Sequence, residues 1–464
     1  MIGGLKKTSC YLLAGAAALG VLISGAPAVK AQGLTEAQYQ RLKRELKDEL
    51  AQDSDVDMKV KWKGAPTISS RDGKFSFKVG GRLQLDYNSI NQDRRITGDP
   101  DVNAWEARRA RLNVSGHVWY DWDYKFEVDF AGSDVSVKDA YMAYSGFGDW
   151  HNFKILFGQF KLANTLEGYT SSRFITFMER AAFIEAFDAE PRRLGVGIHA
   201  GSNDDFGWSF QTSYNGNAIG AEDIRYPSEN LFAVRGTIAP VNTDEAVIHL
   251  GGSYRHRNAG SDDGPTADLY DYRARGANLH LADRFVDTED LGEADDYWGL
   301  EGAAVWRRFS VQGEYAELTP TVPTYITSMT TRSINPTYNG WYAYGSFFLT
   351  DDSRAPGYSA KKGAFGRVKP KNPFFNGSGG WGAWEIAGRY DTVDLGSDAS
   401  ALTDAGHDCE ECGDQGTWLI GLNWYPTSYT RLMFNVTSSD IGGVFDVNDG
   451  ATIDGFGMRG QIDW

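Results

Sequence analysis

The clearest feature of the chain is a strict alternation of apolar and polar positions between residues 74 and 88. One parity carries only charged or polar side chains and a glycine, and the other carries Phe75, Phe77, Val79, Gly81, Leu83, Leu85 and Tyr87. Because successive side chains of a β-strand point to opposite faces, such a segment has one apolar and one polar face. Ordinary strands have about 5 or 6 residues, whereas a tilted strand needs about 9 to 11 to cross a bilayer. The length therefore favours a strand in a membrane-spanning wall.

The same pattern recurs along the chain and predicts sixteen strands. They are residues 74–88, 106–120, 124–131, 138–146, 152–161, 192–200, 206–214, 231–239, 246–257, 296–306, 309–318, 338–350, 381–394, 416–425, 429–438 and 454–464. Short turns alternate with long loops, as in bacterial outer-membrane barrels. Only the connections 132–137 and 351–380 depart from this order. We therefore expect an all-β fold, a 16-stranded antiparallel transmembrane β-barrel over 73–464, with both ends on the periplasmic side.

The first 31 residues have the features of a signal peptide. Lys6 and Lys7 supply the positive start, an apolar run covers 12–23, and small residues precede a cleavage point after Ala31. The apolar run is too short to cross a membrane as a helix. Export to the outer membrane of a Gram-negative bacterium is the expected outcome.

A second segment separates the signal from the barrel. Residues 34–50 place Leu42, Leu46 and Leu50 four positions apart, which predicts a short amphipathic helix. Such a helix could associate between subunits as a coiled coil in the periplasm. A polar linker follows, so residues 32–72 form an N-terminal helix and linker.

Aromatic residues mark the predicted edges of the membrane. They make up 13% of the chain, and many tryptophans lie near predicted strand ends, where outer-membrane barrels carry aromatic girdles. The chain ends in Trp464 on the apolar parity of its last strand. A terminal aromatic residue resembles the signal by which such barrels are recognised for insertion. Expected partners are therefore outer-membrane lipid and lipopolysaccharide, and the barrel-assembly machinery through Trp464.

The polar parity should line a water-filled lumen, because a barrel of about 16 strands leaves an aqueous channel. This parity carries many cations, namely Arg82, Arg109, Arg111, Lys125, Arg193, Arg235, Arg255, Arg257, Arg389, Arg431 and Arg459. The whole chain has a net charge of −16, but its acids concentrate in predicted loops. We expect most of these cations to face water, where they need no partner. The alternative is a structural lattice of ion pairs with Glu127, Asp129, Asp139 and Glu385.

Charge in a channel acts only where the channel is narrow, because salt screens exposed charges beyond about 8 Å. The segment 162–191 is too long for a simple connection and is rich in Phe. We expect it to fold inward and narrow the lumen. The planar guanidinium group of arginine donates two parallel hydrogen bonds to an oxyanion, and a series of moderate sites lets an anion step from one to the next.

The remaining chemistry points away from an enzyme. Seven scattered histidines show no Ser-His constellation and no metal-ligand spacing, so we predict no catalytic residues, no metal and no cofactor. Cys409 and Cys412 form a Cys-Glu-Glu-Cys motif in an acidic loop. In an exported protein this motif predicts a local disulfide, and a metal site with His407 is the minor alternative.

Several short motifs, in order along the chain, carry a family resemblance. They are Gly81-Arg82-Leu83-Gln84, Arg108-Arg109-Ala110-Arg111-Leu112, Lys138-Asp139-Ala140-Tyr141, Gly158-Gln159-Phe160-Lys161, Thr170-Ser171-Ser172, Phe177-Met178-Glu179-Arg180, Arg192-Arg193-Leu194-Gly195-Val196-Gly197, Asp283-Arg284-Phe285-Val286-Asp287-Thr288, Gly366-Arg367-Val368-Lys369-Pro370, Gly380-Trp381-Gly382-Ala383-Trp384-Glu385 and Gly421-Leu422-Asn423-Trp424-Tyr425. Together they make the region from about residue 74 to 464 resemble the phosphate-selective porin O and P family.

The resemblance implies a homotrimer of barrels, each with an arginine ladder that leads to a basic constriction. Carried over by motif, the constriction comprises Arg82, Arg108, Arg109, Lys125, Asp139 and Lys161, and the ladder segment includes Arg273, Arg275 and Arg284 beside the parity-assigned Arg193, Arg255 and Arg257. Strand parity alone puts Arg108 toward lipid, so either a bulge re-aims it or Arg111 takes its role. The run Leu162-Ala163-Asn164 departs from the proline-containing family pattern.

The function implied is passive diffusion of small anions, with inorganic phosphate or polyphosphate favoured. A weakly selective general porin is the alternative, in which acidic loops cancel the field of the lumen. An outer-membrane enzyme and a structural barrel without conductance are the other classes. Nucleic acid is not an expected partner. The basic connection 351–380 either receives anions at the inner mouth or serves as a structural flap.

Overall fold

The computed structural model describes Arg41 and residues 58–62, 64–93, 101–187, 192–220, 229–259, 269–327, 330–375, 377, 379–445 and 449–464, without the side chains of 323–333. The chain divides into two compact units, Met1–Asp57 and Met58–Trp464. Arg41, the described residue of the first unit, is helical. The predicted signal peptide and the rest of the predicted helix over 34–50 lie outside the described residues.

Strands dominate the second unit. The described residues form strands β1 to β23 in chain order: Met58–Trp62, Pro66–Ser70, Phe75–Asn91, Val102–Val118, Trp122–Asp129, Ser136–Tyr144, Lys154–Lys161, Arg192–Ser202, Gly207–Asn215, Asn230–Asn242, Ala246–Asn258, Tyr270–Arg275, Arg284–Gly292, Ala294–Trp306, Phe309–Thr327, Thr330–Ile334, Tyr338–Phe348, Tyr358–Ser359, Ala364–Phe365, Ala383–Asp394, Gly413–Thr427, Thr430–Gly443 and Thr452–Asp463.

Sixteen of these strands form one closed antiparallel barrel: β3 to β11, β14, β15, β17 and β20 to β23. Closure is made by the last strand, which pairs with the first from Asp454 opposite Asn91 to Asp463 opposite Arg82. Each of the sixteen predicted strands overlaps one barrel strand, so the predicted fold is confirmed.

The predicted parity is also confirmed in β3. Phe75, Phe77 and Leu85 are exposed on the outer face, whereas Arg82, Gln84, Asp86 and Asn88 are buried inside the barrel. An apolar outer face allows the hydrocarbon chains of the bilayer to pack against the wall without contacting polar groups.

One difference concerns the predicted linker. Residues 58–70 form the hairpin β1–β2, and β2 extends the barrel sheet by pairing with the start of β3, with Thr67 opposite Lys78. Met58, Val60 and Trp62 alternate with Lys59 and Lys61 in β1, and both faces of this five-residue strand are exposed.

Three long segments fold into the barrel instead of extending away from it. The first, described over 162–187, contains helices α1 (Leu166–Tyr169) and α2 (Ala182–Phe187). Its contacts with the lumen face of β20 and β22 confirm the predicted inward course of this part. The second is the β12–β13 hairpin, closed by a 3-10 turn at Gly276–Asn278. The third lies between β17 and β20 and contains the short pair β18–β19. A further helix, α3 (Ala399–Asp404), lies in a long loop.

Among the described residues, no helix is long and apolar enough to cross a membrane. The largest apolar cluster lies where the inward segments meet the barrel wall. Phe177, Phe183 and Phe187 of the first segment and Leu279 of the second are buried in it with Tyr342 of β17. The core of this molecule is therefore the layer between the inward segments and the wall, which fixes both segments in the lumen.

Candidate functional site

A cavity of about 1350 Å³ remains in the lumen between the inward segments and the wall. Eighteen of the side chains that line it are arginine or lysine, and six are aspartate or glutamate. This excess of positive charge is opposite in sign to the net charge of the whole chain, −16. The distribution of charge, not its sum, therefore determines which ions the lumen attracts.

All seven predicted constriction residues line this cavity: Arg82, Arg108, Arg109, Arg111, Lys125, Asp139 and Lys161. They lie on five neighbouring strands, β3 to β7. The structure thus brings together residues that are up to 79 positions apart in the sequence, from Arg82 to Lys161. Of the predicted ladder residues, Arg193, Arg257, Arg273, Arg275 and Arg284 line the cavity as well.

A β-bulge resolves the conflict at Arg108. Gln84 pairs with Arg109, but Leu85 pairs with Ala107, so Arg108 is the extra residue of β4. A bulge changes which face the following side chains occupy. Arg108 consequently points inward, where its Nε donates to Oε1 of Glu179 at 2.8 Å, and Arg109 and Arg111 also face the lumen.

A second bulge brings in a cation that parity had missed. Glu127 pairs with Asp139, but Val128 pairs with Val137, so Lys138 is the extra residue of β6. Its side chain lines the cavity. The doublet Lys138-Asp139 is a signal in the sequence for this position, but only the register of the two strands shows that both side chains reach the lumen.

Most of the constriction cations are paired, contrary to the expectation of lone charges. Arg82 contacts Glu127 at 3.1 Å, and Arg111 contacts Asp129 at 2.6 Å and Glu127 at 3.2 Å. Lys125 and Arg192 both contact Asp139, the latter at 2.8 Å. The lattice considered as the alternative is therefore present. Its cause is burial, since a guanidinium group removed from water must be paired with acceptors.

Five wall arginines assigned to the lumen by parity are fully buried: Arg235, Arg255, Arg389, Arg431 and Arg459. They donate to backbone carbonyls of the inward segments. Arg431 donates to Ile175 O at 2.6 Å and Thr176 O at 2.7 Å, and Arg389 donates to Glu179 O at 3.1 Å. Parity gave the correct face, but the inward segments cover these side chains, so they hold the segments in place.

The start of α1 shows how the wall positions the first segment. Thr165 caps the helix by accepting a hydrogen bond from Gly168 N at 2.7 Å. The Glu314 carboxylate of β15 accepts from Leu166 N at 2.8 Å and Glu167 N at 2.7 Å. These donors have no partner within a helix, and the wall supplies one.

Glu179 of the first inward segment lies among three arginines. It contacts Arg108 at 2.8 Å, Arg109 at 3.4 Å and Arg459 at 2.6 Å. Burial favours the neutral acid, but the three guanidinium groups hold the pKa of the Glu179 carboxyl well below its usual range. This carboxylate therefore stays charged and connects the constriction to the wall.

The ladder arginines carry carboxylate partners of their own. Arg257 contacts Asp295 at 2.5 Å, and Arg273 contacts Asp271 at 2.7 Å. Arg193 pairs with Glu229. Arg255 differs from the prediction because it does not line the cavity: its guanidinium group is enclosed by Asp295 at 3.1 Å and Phe187 O at 2.7 Å.

The segment between β17 and β20 is fastened to the wall and also lines the cavity. Arg354 is buried and pairs with Glu385 at 2.6 Å, which fastens the segment to the wall. Lys361 and Lys362 are exposed and line the cavity. A long basic connection in the sequence signalled this segment, but its inward course depends on contacts made far along the chain.

The predicted disulfide between Cys409 and Cys412 is confirmed. Both cysteines are buried in the cluster that supports the inward segments. Between them, Glu411 O accepts a hydrogen bond from Asp287 N at 3.1 Å. The disulfide loop is thereby connected to the hairpin that carries three ladder arginines.

A closed sixteen-stranded barrel with an apolar outer face and a charged, partly open lumen defines an outer-membrane channel of the porin class. The family model described as phosphate-selective porin O and P matches residues 77–459. The chain belongs to this family, and it is a protein of the Gram-negative outer membrane.

Individual relatives agree with this assignment. Porin O of Pseudomonas aeruginosa is 27% identical over 441 residues, which cover 88% of this chain and 92% of the relative. A protein of Caulobacter vibrioides is 29% identical over 412 residues, covering 84% of this chain and 73% of the relative. The solved structure of outer-membrane expressed OmpT of Vibrio cholerae has a TM-score of 0.50 at 11% identity, covering 84% of this chain and 98% of that one. This last likeness concerns the fold.

Proposed function

We propose that the protein is a passive channel for small anions, with inorganic phosphate and related oxyanions favoured. The single observation that carries the proposal is the threefold excess of cations over acids around the lumen cavity, in a chain whose net charge is −16. Family membership supports the same function. No chemical step is required of any residue, since the channel only lets solutes diffuse.

In this proposal, the constriction residues form the selective site. Arg108 and Lys161 offer donors to a passing oxyanion, and Lys138 adds a positive charge that makes no ion pair among the described residues. Asp139 orients Lys125 and Arg192 around the same space. A guanidinium group suits phosphate because its planar fork donates two hydrogen bonds, whereas chloride accepts them at a single atom.

Access to this site is proposed to run along Arg193, Arg257, Arg273, Arg275 and Arg284 and to continue past Lys361 and Lys362. Because each ladder arginine already has a carboxylate neighbour, each site should bind an anion only moderately. Moderate sites in series allow an anion both to enter and to leave.

The reversal potential of the purified protein in a KCl gradient tests the proposal. In an anion channel the reversal potential has the sign of the chloride equilibrium potential. Added phosphate should block the chloride current because it occupies the constriction. A potential set by potassium, or no potential at all, would refute anion selectivity.

A weakly selective general porin is the second candidate, and the ion pairing of Arg82, Arg111 and Lys125 favours it. Paired cations contribute less field to the lumen than lone ones. The two candidates differ in the effect of phosphate. A general porin conducts phosphate and chloride according to size and charge alone, so that phosphate adds to the current instead of blocking it.

We also propose that the channel assembles as a homotrimer. Three of the shortest barrel strands, β5, β6 and β7, are neighbours with 8 or 9 residues each, and their outer faces expose Phe126, Met142 and Phe157. A part of the wall formed by such short strands is better covered by another subunit than by lipid. The mass of the detergent complex measured by light scattering tests this: a monomer mass would exclude the trimer.

A further inference from the structure

One carboxylate in the lumen bridges two of the inward segments. Glu185, on helix α2 of the first segment, contacts both Arg275 and Arg284 of the β12–β13 hairpin through the same oxygen, Oε1. The contact to Arg284 Nη2 is 3.4 Å, and the contact to Arg275 is the closer one. All three side chains line the cavity. Glu185 thus lies where an anion on this arginine pair would bind.

The three groups remain accessible to solvent. The exposed fraction of the side chain is 29% for Glu185, 20% for Arg275 and 30% for Arg284. Glu179 is the opposite case, with 13% exposure and a contact of 2.6 Å to the fully buried Arg459. An ion pair that water already reaches exchanges partners at little cost, whereas one fastened to a buried guanidinium group does not.

We propose that Glu185 is a displaceable internal counter-ion of an oxyanion site formed by Arg275 and Arg284. The carboxylate occupies the arginine pair while the site is empty, gives way to an arriving phosphate-type anion, and returns as that anion leaves. This inference rests on the proposed anion channel. It adds the residue that determines how long an anion stays at one binding site along the channel.

The physical reason is competition by a tethered ligand. A carboxylate held on the facing helix acts as an anion of high local concentration, so any dissolved anion must displace it. Displacement weakens binding and shortens the residence time. Without the carboxylate, two guanidinium groups would bind a doubly charged oxyanion more tightly, and a tighter site passes fewer ions per second.

Two competing roles make different predictions. If Glu185 only braces the hairpin, its removal should loosen the lumen and leave the affinity for phosphate unchanged or weaker. If Glu185 only adds negative potential, its removal should raise the current at every phosphate concentration. A counter-ion alone couples tighter binding to a lower maximal current.

The experiment measures single-channel current against potassium phosphate concentration for the wild type and for Glu185→Gln, which has the same shape without the charge. We expect the half-saturating phosphate concentration to fall about twofold to fivefold, the range for a partly exposed ion pair, and the maximal current to fall as well. An unchanged or higher half-saturating concentration, or a higher maximal current, would overturn the proposal.

Two further variants complete the test. Glu185→Asp keeps a carboxylate at this position and should behave more like the wild type than Glu185→Gln does. Equal shifts in both variants would indicate a steric effect and reject the counter-ion. Glu245→Gln removes the same charge from an exposed turn, where Glu245 pairs with Arg307 at 3.3 Å, and should leave both parameters unchanged. A wild type without anion selectivity would reject the channel proposal itself, whereas an anion-selective wild type with an unaltered Glu185→Gln variant rejects only the counter-ion.

Discussion

At the scale of the residue, the cations of this lumen have two different roles. Arg431 and Arg389 are fully buried and donate to backbone carbonyls of the first inward segment. Lys138 and Lys362 line the open cavity. Burial decides between the roles, because a guanidinium group without water needs protein acceptors, whereas a hydrated charge is free to attract ions. Each role leads to a different prediction.

Lys138→Glu should reduce selectivity without removing an ion pair. The substitution changes the charge of the cavity by two units at the second bulge, and we expect the anion-to-cation permeability ratio to fall about twofold to fivefold in dilute salt, with less effect in strong salt. Reversal potentials in KCl gradients measure this ratio. Lys59→Glu makes the same change on the exposed β1 strand and is the matched control. Equal effects of the two substitutions would remove Lys138 from the ion path.

Arg431→Met should loosen the first inward segment. Two charge-assisted hydrogen bonds to Ile175 O and Thr176 O are lost, at a cost of roughly 2 to 4 kcal/mol in folding free energy. We expect a lower unfolding temperature in detergent and a larger, less selective single-channel conductance. Arg307→Met, on an exposed turn, should change neither quantity. A variant with wild-type stability and conductance would show that the brace is not needed.

At the scale of the element, the inward segments differ from ordinary loops in being held by the wall at several points. The segment between β17 and β20 is fastened by Arg354 and Glu385, and it presents Lys361 and Lys362 to the cavity. An element fixed in this way places charge reproducibly, which a mobile loop does not.

Replacing Lys361 and Lys362 together with Gln should therefore lower the anion current at low salt. The reason is the loss of two positive charges from the lining of the cavity, and the slope of current against KCl concentration measures it. Lys369→Gln with Lys371→Gln is the matched control within the same segment, because neither side chain lines the cavity and Lys371 pairs with Asp351 at 2.8 Å. A larger effect in the control pair would assign the role to the outer part of the segment.

The disulfide supports the hairpin from outside the cavity. Replacing Cys409 and Cys412 with Ser should destabilise this loop by about 2 kcal/mol on the chain-entropy model for a short ring. Since Glu411 O accepts from Asp287 N, we expect protease to cleave 395–415 at a lower temperature and then to reach the β12–β13 hairpin. Mass spectrometry of limited digests follows both sites. Resistance equal to that of the wild type would limit the disulfide to a local effect.

At the scale of the whole molecule, Trp464 extends the strand pairing that closes the barrel. Trp464 exchanges backbone hydrogen bonds with Gly81, at 3.1 and 3.2 Å. The indole ring lies against Gly81, where a Cβ atom would collide with it. The absence of a side chain at position 81 thus leaves room for the Trp464 ring against the first wall strand.

Trp464→Ala should therefore reduce the amount of assembled barrel in the outer membrane. The fraction of protein that migrates as a folded species before heating, and shifts after heating, measures assembly. Trp464→Phe keeps an aromatic ring at the terminus and should assemble nearly as well as the wild type. Equal assembly of the Ala and Phe variants would exclude a role of the terminal ring.

The wall of the barrel could be predicted from the sequence because its cause is local. Membrane strands must present apolar side chains at every second position, and both β3 and β23 show this alternation. The cysteine pair likewise lay three positions apart and needed no tertiary information. The family motifs added the constriction residues, and all of them line the cavity.

The bulges at Arg108 and Lys138 could not be predicted in this way, because a bulge depends on the pairing of two strands and not on the composition of one. By strand parity alone, the side chain of Arg108 was expected to face lipid. Only the register between β3 and β4 showed that it faces the lumen. The β1–β2 hairpin was missed for another reason. Met58, Val60 and Trp62 alternate with two lysines in β1, but a run of five residues is too short to stand out from a linker.

The sequence by itself determined an outer-membrane barrel of sixteen strands with a cationic inner face, because the alternation and the length of each strand are properties of a single segment. Only the tertiary structure decided which of those cations meet water. Inward segments distant in sequence cover Arg431 and Arg459, while leaving Arg275 and Arg284 open beside Glu185. Burial is a property of packing between segments, and it decides whether a charge braces the wall or faces the ions.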